Sequence, residues 1–220
     1  MWSSEVTNMI ITGIWETLYM TLVSTLVGYV IGLPMGIILT VSDKDGIKPN
    51  AVLYKILDVI ANIVRSVPFI ILLVLLIPFT RLVVGKSYGS TATIVPLVIA
   101  AAPYIARMVE SSLKEVDAGV IEAARSMGAS NFTIITKVML VEARTSLLVG
   151  ATITLGTILG YSAMSGAVGG GGLGAIAIRY GYYRYQTDIM LVTIVILVVL
   201  VQILQGLGMM LSRKLDKRKA

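Results

Sequence analysis

No cysteine and no histidine occur among the 220 residues. The first absence excludes disulfides and thiol chemistry, and the two together remove the usual zinc ligands. Ser-His-Asp and Cys-His catalysis are excluded outright. Charge is scarce as well: 14% of residues are Asp, Glu, Lys or Arg, against about 25% in soluble domains. What is abundant is apolar, 56% of the chain. A chain of 220 residues with that balance reads as a membrane protein, with room for about five spanning helices of ~20 residues and no separate soluble domain. The N-terminus has no basic region and carries Glu5 and Glu16, so no cleavable signal peptide is expected there.

The net charge of +6 raises the question of nucleic acid, and the placement of the charges answers it. Thirteen of the 18 Lys and Arg residues fall in three segments: Lys44, Lys48 and Lys55; Arg107, Lys114, Arg125, Lys137 and Arg144; and a tail of Arg213, Lys214, Lys217, Arg218 and Lys219. The two intervening loops hold only Arg81, Lys86, Arg179 and Arg184. This alternation follows the positive-inside rule, and it predicts an external N-terminus, a cytoplasmic C-terminus and an odd number of spans. The basicity is topology, and no nucleic-acid partner is expected.

The predicted spans cover about 17–41, 52–79, 92–109, 146–164 and 188–211. In the first, Gly28, Gly32 and Gly36 form two overlapping GxxxG units, a face that admits another helix closely. Pro34 in the same span predicts a kink. The second span carries Asp58, Asn62 and Arg65 at i, i+4 and i+7, a stripe extended by Lys55 and Ser66. Charges at that depth must face the bundle or a wet cavity. The stripe either locks packing through an Asp58–Arg65 pair or lines a route for a polar solute. Pro96 and Pro103 predict a bent third span. Between spans four and five, Gly169-x-Gly171-x-x-Gly174 formally matches a dinucleotide fingerprint, but no strand precedes it and no Lys-Ser/Thr follows. A flexible re-entrant turn at the outer face is expected instead. The segment Ile178–Tyr185 is rich in tyrosine and arginine, as at a membrane interface or a docking surface.

One long segment, about 117–141, is neither apolar enough to span nor loose enough to be a linker. Asp117 can cap a helix, Val120, Ala123, Ala124 and Met127 form an apolar face, Gly128 suits a left-handed stop, and Ser130 can cap a second helix. Within it, Glu122-Ala123-Ala124-x-x-x-Gly128 followed by Val138-Met-Leu140 resembles the EAA loop of ABC-transporter membrane subunits, those of the binding-protein-dependent importers. Val138 stands where that family has Ile, and Val141 where it has Pro. Four further stretches, Arg65–Leu73, Ile77–Arg81, Ala101–Glu110 and Gly160–Gly169, are similar to the permeases of methionine importers.

The resemblance implies an all-α membrane protein of five transmembrane helices with a cytoplasmic two-helix EAA coupling loop. It implies two permease copies in the lipid of a bacterial cell membrane, two cytoplasmic ATPase subunits that carry ATP and Mg, and an extracytoplasmic methionine-binding lipoprotein. No enzyme activity, cofactor or metal is expected in the chain itself. Glu122, Ala123, Ala124, Arg125, Met127 and Gly128 are the implied ATPase-coupling residues. Arg65, Ser66, Tyr161, Ser162 and Met164 are candidates for the pathway or its gate. Methionine, as the L or the D form, is the implied cargo. A permease for another small amino acid or peptide, or an ion-coupled transporter using Asp58 and Arg65, is the alternative.

Overall fold

The computed structural model describes residues 4–215; the end of the expected basic tail, Lys217, Arg218 and Lys219, lies outside them. Among the described residues every regular element is helical. The first helix, α1 (Ser4–Ser42), has 39 residues, ~58 Å at 1.5 Å per residue. It begins well before the expected span and runs as one helix through Pro34. Several of its hydroxyls are satisfied locally: Thr17, Thr25 and Thr40 donate to the carbonyls of Gly13, Thr21 and Gly36, four residues back. In a medium without water, this is how a polar side chain sits on a spanning helix.

The core is the pairing of α1 with α5 (Ser90–Lys114), a 25-residue helix that continues through Pro96 and Pro103. Here the expectation for the glycine stripe holds. A Cβ on Gly32 would lie 2.6 Å from the Ala102 carbonyl oxygen, and one on Gly28 would lie 3.0 Å from Ile105 Cδ1. The two backbones therefore meet with nothing between them. Around this seam Met20, Leu97, Ile105, Val109 and Leu113 are fully buried. Lipid tails are as apolar as leucine, so contact distance decides helix association in a membrane, and glycines at the seam supply it.

The second span departs from expectation. Instead of one helix over 52–79 there are three: α2 (Ala51–Ser66), α3 (Phe69–Leu75) and α4 (Ile77–Val84). The axis turns by 102° between α2 and α3. The cause is Pro68, which drives the residue before it out of the helical region; Val67 is extended, with φ −81° and ψ 125°. The Val64 carbonyl keeps only a long bond of 3.4 Å from Val67 N–H. Pro78 does no such damage, because it stands in the first turn of α4, where its missing N–H has no partner to lose.

After α5 come the short helices α6 (Ala118–Ser126), α7 (Asn131–Thr133) and α8 (Leu140–Glu142), the last two joined by a π-helical stretch, Ile134–Met139. The second helix of the expected pair is therefore one α turn that widens into a π-helix. Next is α9 (Arg144–Ser165), then the glycine-rich turn and α10 (Gly172–Ile176), a further π stretch Ala177–Tyr182, and α11 (Thr187–Leu215). By length and composition, α1, α5, the run from Arg144 to Tyr182, and α11 can each cross a membrane; α2 with α3 would make a fifth span.

The glycine-rich turn is not the loose segment expected. Gly172 N–H donates to the Glu16 carboxylate at 2.7 Å and Leu173 N–H to the Thr17 hydroxyl at 2.9 Å. From the other side, Gly89 N–H donates to the Gly169 carbonyl at 2.9 Å, and Thr93 Oγ1 lies 3.2 Å from the Gly170 carbonyl. Helices α1 and α5 thus hold it by its backbone.

Candidate functional site

Helix α6 starts where the sequence allows: Asp117 accepts from Gly119 N–H at 2.7 Å. It stops in a left-handed turn, with Gly128 at φ +81°. Ala129 N–H closes on the Ala124 carbonyl at 3.1 Å and Gly128 N–H on the Arg125 carbonyl at 3.0 Å, the paired bonds of a Schellman ending. Two residues on, Ser130 accepts from Thr133 N–H at 3.2 Å and starts α7.

The apolar face read from periodicity is only partly an inward face. Ala124 is buried and Ile121 half-buried, whereas Val120, Ala123, Met127 and, beyond the turn, Phe132 look outward. Met127 is 81% exposed and Phe132 75%. Glu122 is also exposed, at the rim of a groove of about 470 Å³ between α6 and the loop that follows α1. Arg125, also exposed, reaches across to that loop and donates to the Ile47 carbonyl at 2.9 Å.

Beside α6 lies an ionic network the sequence did not disclose. Arg107 on α5 donates through Nη2 to the Asp58 carboxylate and, at 3.0 Å, to Asn62 Oδ1, both on α2. Its Nη1 donates to Glu110 at 2.7 Å. Glu110 is only 5% exposed and takes further bonds from Lys114 at 2.9 Å and the Tyr54 hydroxyl at 3.4 Å. A buried carboxylate survives in such a place because it is paired and hydrogen-bonded. Lys114 also reaches Asp43 at 2.6 Å, and chiefly through that hydrogen bond it holds the Asp43 carboxyl below the ordinary carboxylate range. The stabilisation is complete above the ordinary carboxylate pKa and is lost as pH falls through the lowered value.

This geometry corrects the expected Asp58–Arg65 pair. Asp58 belongs to Arg107, and Arg65, one helical turn past Asn62, is exposed on the chain's surface with Ser66. The Ser66 hydroxyl donates to the Asn62 carbonyl at 2.7 Å. Of the other expected pathway residues, Met164 is 52% exposed. Tyr161 is half-buried, its ring stacked on Phe69 at 4.5 Å and 5°. Ser162 differs from its neighbours: it is buried, and its hydroxyl donates to the Leu159 carbonyl of its own helix at 2.7 Å. No cluster of metal-ligating side chains occurs among the described residues.

Comparison with known proteins gives a consistent match along the chain. The family profile of the binding-protein-dependent transport system inner membrane component covers residues 28–217. The chain is 50% identical over 217 residues to a probable D-methionine transport system permease protein MetI of Vibrio cholerae, covering 99% of this chain and 96% of that one. It is 43% identical over 222 residues to the methionine import system permease protein MetP of Bacillus subtilis, covering 99% of this chain and all of the other. A solved structure of the MetNI methionine ABC transporter in inward-facing conformations contains a chain 50% identical to this one, with a TM-score of 0.97 over 98% of the present chain. An amino acid ABC transporter with histidines, at 22% identity and a TM-score of 0.78, shares the fold.

Proposed function

The chain belongs to the binding-protein-dependent transport system inner membrane components, and from that premise we propose that it is the membrane-spanning subunit of an ATP-driven methionine importer. Two copies in a bacterial cytoplasmic membrane enclose the pathway, with the N-terminus outside and the C-terminus inside. Methionine of either hand is the cargo, delivered by an extracytoplasmic binding lipoprotein. ATP and Mg are held by two cytoplasmic ATPase subunits. The chain itself hydrolyses nothing; its work is alternating access.

One observation carries the coupling part of this reading. Met127 and Phe132 stand almost fully exposed on either side of a Schellman turn, while Ala124 and Ile134 anchor the same two helices to the bundle. Large apolar side chains displayed on a rigid corner fit a groove in a partner protein, which can then push on the bundle. Arg125, with its bond to Ile47, fixes that corner to the loop after α1. Support for the cargo is the match to methionine permeases over nearly the whole chain.

The test is reconstitution in proteoliposomes with the ATPase and the binding lipoprotein. ATP-dependent entry of labelled L- or D-methionine is expected, and none from the chain alone under any ion gradient. Gradient-driven uptake by the chain alone would overturn the reading. Phe132→Asp is expected to weaken ATPase assembly about tenfold or more, the loss of a fully desolvated aromatic anchor, with the thermal stability of the solubilised permease unchanged. Arg65→Met is expected to lower uptake and to leave stability alone, since the side chain is exposed.

A further inference from the structure

Helix α2 is held to the bundle in an unusual manner. Of its 16 residues only Ala61 is buried, and Val52, Ile56 and Ile63 are more than half exposed. Apolar packing therefore does little to fix this helix; polar bonds to α5 do more, one weak bond of 3.4 Å from the Tyr54 hydroxyl to Glu110 and those of the Arg107 guanidinium. One nitrogen spans two acceptors a helical turn apart, Asp58 and Asn62, and the other is tied to Glu110 on its own helix. A planar fork held at one side cannot follow its acceptors if they turn away, so it fixes the rotation of α2 about its axis. Asn62 is linked to Ser66 through its carbonyl, and just beyond Ser66 the chain breaks at Val67–Pro68.

The other end of the network points to α6. From Arg107 the bonds continue through Glu110 and Lys114 to Asp43. Asp43 begins the loop whose Ile47 carbonyl accepts from Arg125. We propose that Arg107 is a positioning residue that sets the rotation of α2, and hence the placement of Arg65 and Ser66, in register with the corner formed by α6. This rests on the pathway and coupling roles proposed above. A point contact through a guanidinium can be turned or released as a unit, whereas a helix packed along its length can only slide.

The chain lacks cysteine, so Ser66→Cys introduces a single thiol, and its rate of reaction with a water-soluble thiosulfonate reports the orientation of α2. In that background, Arg107→Gln is expected to change the rate about fivefold or more, while Lys86→Cys, in the loop after α4, shows the same rate with and without Arg107→Gln. In the reconstituted transporter, Arg107→Gln and Asp58→Asn are each expected to cut labelled methionine imported per ATP about tenfold, and the double variant to be no worse than either single one. Unchanged labelling at position 66, or a double variant that loses the product of the two singles, overturns the proposal. Should Arg107→Gln not fold, Asn62→Ala removes one neutral acceptor without stranding a charge. It is expected to move the labelling rate in the same direction, and no movement would count against Arg107. If the parent imports no methionine, the importer reading fails, but the labelling comparison needs no cargo and still decides the role of Arg107.

Discussion

Gly32→Leu is expected to abolish recovery of folded permease from the membrane. A Cβ at this position meets the Ala102 carbonyl oxygen at 2.6 Å and the Ile105 side chain at 2.8 Å. The first of these is backbone and cannot rotate aside. Helices α1 and α5 must separate, and the separation propagates along the seam that buries Met20, Leu97 and Val109. The cost lies at or above the top of the ~1–3 kcal/mol range for overpacking, in a medium where no hydrophobic force draws the helices back. Gly28→Ala is the control. Its Cβ would meet Ile105 Cδ1 at 3.0 Å, the end of a flexible side chain, and Ala101 Cβ at 3.1 Å, which asks the helices to part by only a few tenths of an ångström. The monodisperse fraction in detergent should be near that of the parent for Gly28→Ala and near zero for Gly32→Leu. A well-folded Gly32→Leu protein would mean that the seam is looser than described.

Gly128→Val acts by a different route and spares the spans. Nothing lies within 4 Å of a Cβ at this position, so there is no clash; the obstacle is its φ of +81°. Forcing a β-branched residue into that region costs about 1–3 kcal/mol, a factor of roughly 5 to 150 in the population of the native turn. The two closing bonds from Gly128 and Ala129 are then lost together, and α7 no longer leaves α6 at a fixed angle. The expected result is a permease with the melting temperature of the parent that binds its ATPase weakly and imports at less than a tenth of the parental rate. Gly128→Asn, which tolerates the left-handed region better, should recover a good part of both. Full ATP-driven uptake by Gly128→Val would show that the angle between α6 and α7 does not matter.

The parts of the fold legible in the sequence were those set by local chemistry. Asp117, Gly128 and Ser130 were readable as cap, stop and cap because each acts on backbone within three or four residues of itself. The glycine stripe was readable because spacing alone puts Gly28, Gly32 and Gly36 on one face. Other features depended on what the fold brings from afar. The spacing within α2 pairs Asp58 with Arg65, a cation on its own helix, whereas its partner Arg107 is 49 positions away. Pro68 was visible, but a proline inside an apolar run is compatible with a kink or a full break; Pro34 and Pro68 took different outcomes because α1 has α5 along its length while α2 buries almost nothing. On α6 the apolar residues lie on more than one side, so their period predicted a helix without saying which side faces inward. Burial resolved it: Ile121 and Ala124 turn in, and Val120 and Met127 turn out.

The backbone bonds that α1 makes to the glycine-rich turn have a consequence for the order in which the chain assembles. Glu16 and Thr17 accept from Gly172 and Leu173 across 156 positions of sequence. During synthesis α1 is made first and then waits for most of the polypeptide before those donors exist. Contacts of such separation form late, because the closure entropy of the intervening chain must be met first. Until then the N–H groups of Gly172 and Leu173 lack these partners. The α1–α5 seam needs only about half the chain, to Lys114, and can be complete long before. The molecule is thus built around its first helix twice, early through glycines that let α5 approach and late through a carboxylate and a hydroxyl that close the far end.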